Sequence, residues 1–151
     1  MDDPTPHVPD YEARVRASFA KQGLMRTLGA SIARVSSGAV DLVLPTSPAV
    51  SQQHGFTHAG AVASIADSAA GYAALTLMPP GAGVLTAEFK INLLAPALGE
   101  RIVARGKVVK AGRTLTLAQT DVFAEREGHE KLVAVLMATL MTVEGRSGVD
   151  D

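Results

Sequence analysis

Apolar residues follow a helical pattern in one long segment of the chain and a two-residue period in the segments after it. The segment 59–78 is rich in Ala, has no internal Pro and stops at "MPPGAG", which predicts the only long helix. In "VLTAEFKINLL" alternate residues are apolar, which predicts a half-buried strand. One face of that strand is expected to hold Leu85, Ala87, Phe89, Ile91 and Leu93.

Three more strands are predicted after it, in "RIVARGKVVK", "TLTLAQTDVFAE" and "KLVAVLMATLMTV". The turns "AGR" and "REGHE" join them as hairpins, and the last strand is apolar on both faces, as a central strand would be. Upstream, residues 11–22 have the charge pattern of a short surface helix, and residues 28–44 predict one or two strands. The ends, about 1–9 and 145–151, are expected to be loose and flexible.

A helix that is apolar on all sides must be buried on all sides. Together with the hairpin-connected strands, it predicts an α+β fold in which an antiparallel sheet wraps around one long central helix. The 151 residues fit a single domain. A membrane span of about 20 apolar residues is the competing interpretation. Polar and small residues interrupt the segment and no basic flank anchors it, so we expect no membrane association.

Composition narrows the possible functions. The chain has no Cys, which excludes disulfides, thiolate zinc sites and a Cys nucleophile. A formal net charge of -1 argues against nucleic-acid binding, although Lys and Arg are concentrated between residues 85 and 113. The sequence "MDDPTPHVPDYEARVR" lacks the basic start and apolar run of a signal peptide, so a cytoplasmic location is expected.

One carboxylate, Asp67, stands in the middle of the apolar helix. Asp is a poor residue for a helix interior and is almost never fully buried unless it is paired. The sequence leaves three explanations open: a functional carboxylate, a salt bridge to a basic residue of the sheet, or a position on a solvent-exposed stripe. Small neighbours leave room beside it for a ligand or for a second backbone; these are Ala63, Ala66, Ala70 and Gly71.

The start of the helix offers backbone donors, since the first N–H groups of a helix have no internal partner and carry its positive end. Ala59 and Gly60 are therefore candidates to bind an oxyanion or a carbonyl oxygen. His54 and His58 lie four residues apart but lack a third ligand at a recognisable spacing, so no metal site is predicted. Ser64 and Ser68 lack a nucleophile motif, and hydroxyls bonded to the preceding turn are the simpler interpretation.

The order of several segments resembles a known family. "HGFTHAGAVASIADSAAG", "TAEFKINLLAPALGE", "GKVVKAGRTLTLAQTDV" and "LVAVLMATLM" are similar to the PaaI-like acyl-CoA thioesterases of the hotdog superfamily. The resemblance covers residues 45–143. It implies the hotdog fold and hydrolysis of an acyl-CoA thioester to free acid and CoA, with no cofactor besides the CoA of the substrate.

The resemblance also implies roles for particular residues. Asp67 would act as general base or nucleophile, and the N–H of Ala59 would polarise the thioester carbonyl, although the family usually has Gly there. Gln52 and Thr86 match positions that orient the acyl group or the water. The substrate-contact candidates are His54, His58, Ser68, Gly71, Lys110 and Arg113, the last two for the CoA phosphates.

Helix geometry adds a condition of its own. Eight residues of helix rise about 12 Å, whereas a donor and a base acting on one carbonyl each lie about 3 Å from the reacting atoms. Asp67 of one chain is therefore expected to face Ala59 of another across a two-fold axis, in a homodimer or a dimer of dimers. Two alternatives remain: a hotdog acyl-thioester dehydratase or hydratase, and a non-catalytic acyl-CoA binding protein.

Overall fold

The computed structural model describes residues 5–151, so the first four residues of the predicted loose end 1–9 lie outside them. The described chain forms one six-stranded antiparallel sheet in the order β1-β2-β4-β5-β6-β3. The strands are β1 Ser31–Ser36, β2 Ala39–Pro45, β3 Gly83–Leu93, β4 Arg101–Lys110, β5 Leu115–Arg126 and β6 His129–Val143. The helices are α1 Tyr11–Lys21, α2 Gly23–Leu28 and α3 Ala59–Leu75, and a short 3-10 helix spans Pro48–Val50.

The central helix α3 packs against β2, β4, β5, β6 and β3 and buries most of its side chains. The structure confirms the predicted long helix, the two strands upstream of it and both hairpins. The helix ends at Leu75, earlier than predicted, and α2 was not predicted at all. The central position of β6, between β5 and β3, is also confirmed.

Close backbone approach fixes the height of α3 above the sheet. A Cβ at Gly106 on β4 would lie 2.4 Å from the backbone carbonyl of Ala69, so only glycine allows this contact. On β5, Thr120 donates its hydroxyl to the Ala66 carbonyl at 2.9 Å. These two contacts hold the middle of α3, and therefore Asp67, at a defined place over the sheet.

The face prediction for β3 is wrong in part, because the strand contains a β-bulge. Thr86 pairs with Leu140 and Glu88 pairs with Thr139, so Ala87 is an extra residue. The bulge shifts the alternation by one residue. Thr86 therefore shares the helix-facing side of the sheet with Phe89, Ile91 and Leu93, whereas Leu85 points to the opposite side.

The C-terminal segment, predicted to be loose, contacts the body of the protein. Val149 packs on Gly83, where an added Cβ would lie 2.8 Å from its side chain. Asp151 accepts a hydrogen bond from the Ser18 hydroxyl, and its backbone carbonyl accepts one from Arg14. These contacts connect the segment 145–151 with α1 and β3, and its flexibility stays a prediction.

Within residues 5–151, the structure contains no helix with the length and apolar character that crossing a bilayer requires.

Candidate active site

The Asp67 side chain lies half-buried on α3 and is held by the sheet. Its Oδ1 accepts a hydrogen bond of 2.8 Å from the Thr86 hydroxyl on β3. Within the part of the chain that the structure describes, Oδ2 has no hydrogen-bond partner, and no cation forms a salt bridge with Asp67. The ion-pair explanation for this carboxylate is therefore not supported within one chain.

Burial raises the pKa of Asp67 above its ordinary value, and the hydrogen bond from Thr86 opposes that rise. A carboxylate with a raised pKa is a stronger base than a fully hydrated one. The free Oδ2 is the atom positioned to accept a proton or to attack an electrophile.

A cavity of about 280 Å³ opens beside the carboxylate. Its lining combines α1, α3, β3 and the C-terminal segment, and polar groups predominate. The lining residues are Ser18, Lys21, Gln22, Asp67, Ser68, Gly71, Tyr72, Val84, Thr86 and Asp151. The predicted residues Asp67, Thr86, Ser68 and Gly71 therefore lie around one space.

The start of α3 presents one free backbone donor. His58 occupies the N-cap position, and its Nδ1 accepts the Gly60 N–H at 2.8 Å. Gly60, predicted as a second donor, thus has its N–H engaged by His58, and an added Cβ there would lie 3.0 Å from the same nitrogen. The Ala59 N–H has no partner among residues 5–151, so it is the donor that remains available.

Gln52 and Ala59 lie together around a second cavity of about 420 Å³. Phe56 and Thr57 of the loop before α3 also line it, together with residues 93–97 at the end of β3. The Gln52 side-chain oxygen accepts the His54 N–H, which fixes the amide in the loop.

The two cavities share no lining residue. One chain therefore presents the carboxylate and the free donor at separate places, about 12 Å apart along α3. At this separation, the carboxylate and the donor of one chain are too far apart to act on the same carbonyl group.

A stripe of small and polar residues on α3 remains partly exposed in the single chain. It contains Gly60, Ala63, Ser64, Asp67 and Ser68, at the spacing of one helix face. Ala66 and Ala70, predicted to give room beside a second helix, are fully buried against the protein's own sheet. The surface available to a second helix is therefore the stripe around Ala63.

The outer edge of β3 is also open, because β3 is the last strand of the sheet. Its apolar side chains Phe89 and Leu93 are 43% and 55% exposed. An open edge strand with exposed apolar side chains is suited to pairing with another chain.

Five predicted residues line neither cavity: His58 and Gly60 at the start of α3, and His54, Lys110 and Arg113. His54 is an exposed loop residue, Lys110 ends β4 and Arg113 lies in the β4–β5 turn. Neither basic residue forms a salt bridge in the described part of the chain. Among residues 5–151, no three His, Asp or Glu side chains come together as a group that could hold a metal ion.

The site also includes residues that sequence reasoning missed. Gln22 and Ser18 come from the N-terminal helix, Tyr72 from α3 and Asp151 from the C-terminal segment. Only Tyr72 carried a signal, as a polar tip in an otherwise apolar helix. The others are separated from Asp67 by 45 or more residues, and no local pattern connects them.

The antiparallel sheet with one long central helix is the hotdog fold, as predicted. The chain belongs to the thioesterase superfamily, whose model matches residues 54–130, about half of the 151 residues.

Individual relatives agree with this assignment. The crystal structure of a thioesterase family protein from Silicibacter pomeroyi is 52% identical, with a TM-score of 0.88, over 89% of this chain and 99% of that chain. A protein of Halobacterium salinarum, provisionally named an esterase, is 29% identical over 118 residues, covering 75% of this chain and 78% of its own length. The PaaI protein from the phenylacetic acid degradation operon of Escherichia coli shares the fold, with a TM-score of 0.80 at 18% identity over 89% and 94% of the chains.

Proposed function

We propose that the protein is an acyl-CoA thioesterase that acts as a homodimer or a dimer of dimers. The observation that carries the proposal is the division of the site: Asp67 with its free Oδ2 lines one cavity and the free Ala59 N–H lines another. Two helices that run antiparallel across a two-fold axis would bring the carboxylate of one chain to the donor of the next.

The chemistry of the proposed reaction is hydrolysis at the thioester carbonyl. Asp67 takes a proton from a water molecule as the water oxygen attacks the carbonyl carbon. The oxyanion that forms accepts a hydrogen bond from the Ala59 N–H of the partner chain. The C–S bond then breaks, the proton passes from Asp67 to the CoA sulfur, and the free acid and CoA leave.

A direct attack of Oδ2 on the carbonyl uses the same geometry. In that case Oδ2 bonds to the carbonyl carbon as the C–S bond breaks, so CoA leaves and a mixed anhydride remains on Asp67. Water then hydrolyses the anhydride. Thr86 holds Oδ1 in both routes, so the other oxygen is the one that faces the substrate.

CoA as the thiol component is supported by family membership and by free basic residues. Lys110 and Arg113 form no ion pair with the described residues. The Val108 N–H bonds the Gly38 carbonyl, and the Gly38 N–H bonds the Thr76 hydroxyl just after α3. This end of β4 therefore lies beside the end of α3. The helix start of an antiparallel partner would point to the same end, so these cations are the proposed contacts for CoA phosphates.

The test is release of CoA from a panel of aryl, short-chain and medium-chain acyl-CoAs, detected with a thiol reagent. We expect turnover of at least one thioester, unchanged by EDTA and slowed about 10² to 10⁴-fold by Asp67→Asn. Tight acyl-CoA binding with no turnover across the panel would support the binding-protein alternative. Hydrated or dehydrated acyl-CoA products, identified by mass spectrometry without CoA release, would support the dehydratase or hydratase alternative.

A further inference from the structure

The side of the sheet that faces away from α3, the outer face, divides into two halves with different charge patterns. Toward the β5–β6 hairpin, the arginines are neutralised by neighbouring strands. Arg101 donates two hydrogen bonds to Glu125, and Arg105 donates two to Glu130. This half of the outer face therefore balances its charges within the chain.

The other half, toward the β4–β5 hairpin, presents apolar side chains. Leu115 and Leu117 on β5 are 50% and 36% exposed. Met137 and Met141 on β6 are partly exposed beside them, and Leu85 on β3 completes the row that pairs Leu115 with Met141. These residues form an apolar track along β5 and β6, and it extends about 13 Å from Met137 to Met141.

Unpaired cations flank the apolar track on both sides. One row across the strands contains Lys90 on β3, Met137 on β6, Gln119 on β5 and Lys107 on β4. Both lysines are exposed, and neither forms an ion pair with any residue in 5–151. Three strand spacings separate them, which places their backbones about 14 Å apart.

The rows of the track carry a net positive charge. Lys110 at the end of β4 adds a third cation, and the carboxylate in these rows is Glu88, which accepts a hydrogen bond from a β6 hydroxyl. Asp121 belongs to the next row, opposite Arg105. The track is therefore an apolar strip between cations that have no anion of their own.

We propose that the outer face docks an amphipathic α-helix of a partner protein, with acidic residues on both flanks of its apolar stripe. A helix with its side chains is about 10–12 Å across, so it fits between Lys90 and Lys107. Its apolar stripe would cover Met137 and Leu117, and its carboxylates would meet the lysines. This face lies across the sheet from Asp67, so the interaction goes beyond the proposed thioesterase function and does not depend on it.

A cavity on the same face offers a place for an anchoring side chain. It has a volume of about 370 Å³, and its lining includes Lys107, Val109 and Gln119. Val109 is 56% exposed, because a bulge interrupts the pairing of β4 with β5 at this residue. One large apolar side chain of the docked helix fits there.

Two other occupants suit this face less well. A second copy of the chain, docked through the same face, would bring lysines against lysines. A lipid bilayer favours Trp and Tyr at its interface, whereas the rows of the track contain no aromatic residue.

The experiment measures binding of a fluorescent helical peptide of about 18 residues, about 27 Å long. The peptide has Leu along one stripe and Glu on both flanks, and a control peptide of the same composition has its Leu residues spread around the helix. Fluorescence anisotropy at low ionic strength should show saturable binding of the amphipathic peptide. The control peptide should bind about tenfold more weakly or not at all, because it has no apolar stripe to bury. Added salt should weaken the binding.

Substitutions on the outer face test the charges and the track separately. Lys90→Glu and Lys107→Glu should each weaken binding about two- to tenfold, since repulsion replaces one exposed charge contact. Leu117→Gln should weaken it about fivefold through lost apolar contact. The matched control is Lys131→Glu, because Lys131 is an exposed lysine at the other end of β6 and its substitution changes the net charge equally. Its affinity and the Tm of all four variants should stay at wild-type values.

A charge exchange makes the test specific. A peptide with Lys in place of Glu should bind the double variant Lys90→Glu with Lys107→Glu more tightly than it binds wild type. Equal binding of the Glu-flanked and Lys-flanked peptides by wild type would overturn the proposal, and so would the absence of saturable binding of the Glu-flanked peptide.

The other occupants have their own readouts. Cosedimentation with vesicles of phosphatidylcholine and phosphatidylglycerol that Lys107→Glu abolishes, without peptide binding, would assign the face to a bilayer. A smaller assembly of Leu117→Gln than of wild type in analytical ultracentrifugation would assign it to a second copy. Either result would overturn the helix-docking proposal.

Discussion

The Thr86 hydroxyl donates a 2.8 Å hydrogen bond to Asp67 Oδ1 because a bulge at Ala87 turns Thr86 toward α3. Without the bulge, Thr86 would lie on the opposite side of the sheet from Asp67. The bond fixes the carboxylate while its other oxygen stays free. It also opposes the effect of burial, which raises the pKa of Asp67.

Asp67→Asn keeps the shape of the side chain and removes the base. We expect kcat to fall by about 10² to 10⁴, with acyl-CoA binding retained. The measurements are steady-state kinetics and calorimetric binding on the same preparation. A variant with wild-type turnover would remove Asp67 from the chemistry.

The same substitution tests the electrostatics of the fold. The pKa of Asp67 is higher in the folded protein than in the unfolded chain. The folded protein therefore loses stability as the pH rises from about 4, the ordinary range for Asp, through the raised pKa. Asn carries no such penalty. The Tm of Asp67→Asn should therefore exceed that of wild type at pH 7, and the difference should shrink as the pH falls toward 4. Lower stability of the variant at pH 7 would indicate a structural ion pair in the assembled protein.

Thr86→Val removes the hydrogen bond that lowers the pKa of Asp67. The acidic limb of the kcat/KM profile should move to higher pH, because activity requires the ionised carboxylate and ionisation becomes harder. The matched control is Thr139→Val, whose hydroxyl bonds Glu88 on the other side of the sheet. A limb that moves equally in both variants would show that the shift does not come from Asp67.

Mixing two inactive variants tests the shared site. Ala59→Pro deletes the free N–H. The fold should accept this change because Pro suits the first position of a helix. In addition, His58 already has the extended ψ of 137° that a following Pro requires. Asp67→Ala deletes the carboxylate. After joint unfolding and refolding, each hybrid dimer should contain one site with both lesions and one intact site, so activity should return in proportion to the hybrids counted by mass spectrometry.

Ala59→Gly is the control for this experiment, since it retains the N–H and should remain active. Folded hybrids without activity would contradict the shared-site arrangement and would require a donor other than the partner's Ala59.

His58 caps α3 by accepting the Gly60 N–H, and loss of this hydrogen bond should lower the stability of the fold. His58→Ala should reduce the free energy of unfolding by about 0.5–2 kcal/mol, as the loss of an N-cap does elsewhere. His58→Asn supplies a good capping side chain and should restore most of that loss. Urea unfolding of the three proteins measures the effect, and equal stability of His58→Ala and wild type would show that the cap contributes little.

The sequence alone was sufficient to predict the layout of elements around the site. The Ala-rich segment that begins at Ala59, the alternation of β4, β5 and β6, and their short hairpins all depend on local backbone geometry, which leaves its period in the sequence. The position of one carboxylate inside an apolar helix was visible for the same reason. Asp67 and the helix start could therefore be singled out without coordinates.

The tertiary structure decided which residues face one another. Strict alternation put Thr86 on the wrong side of β3, because a bulge follows from strand pairing and has no local sign in this segment. Ala66 and Ala70 looked equivalent to Ala63, but packing on β4 and β5 buries the first two and leaves Ala63 on the open stripe.

The contacts of Gln22 and Asp151 with this site were also beyond the sequence, since each joins residues more than 40 positions apart. A periodic pattern records which side of its own element a residue occupies. Contacts between distant elements depend on sheet order, register and the depth at which α3 sits over Gly106, and these are fixed only when the whole core packs.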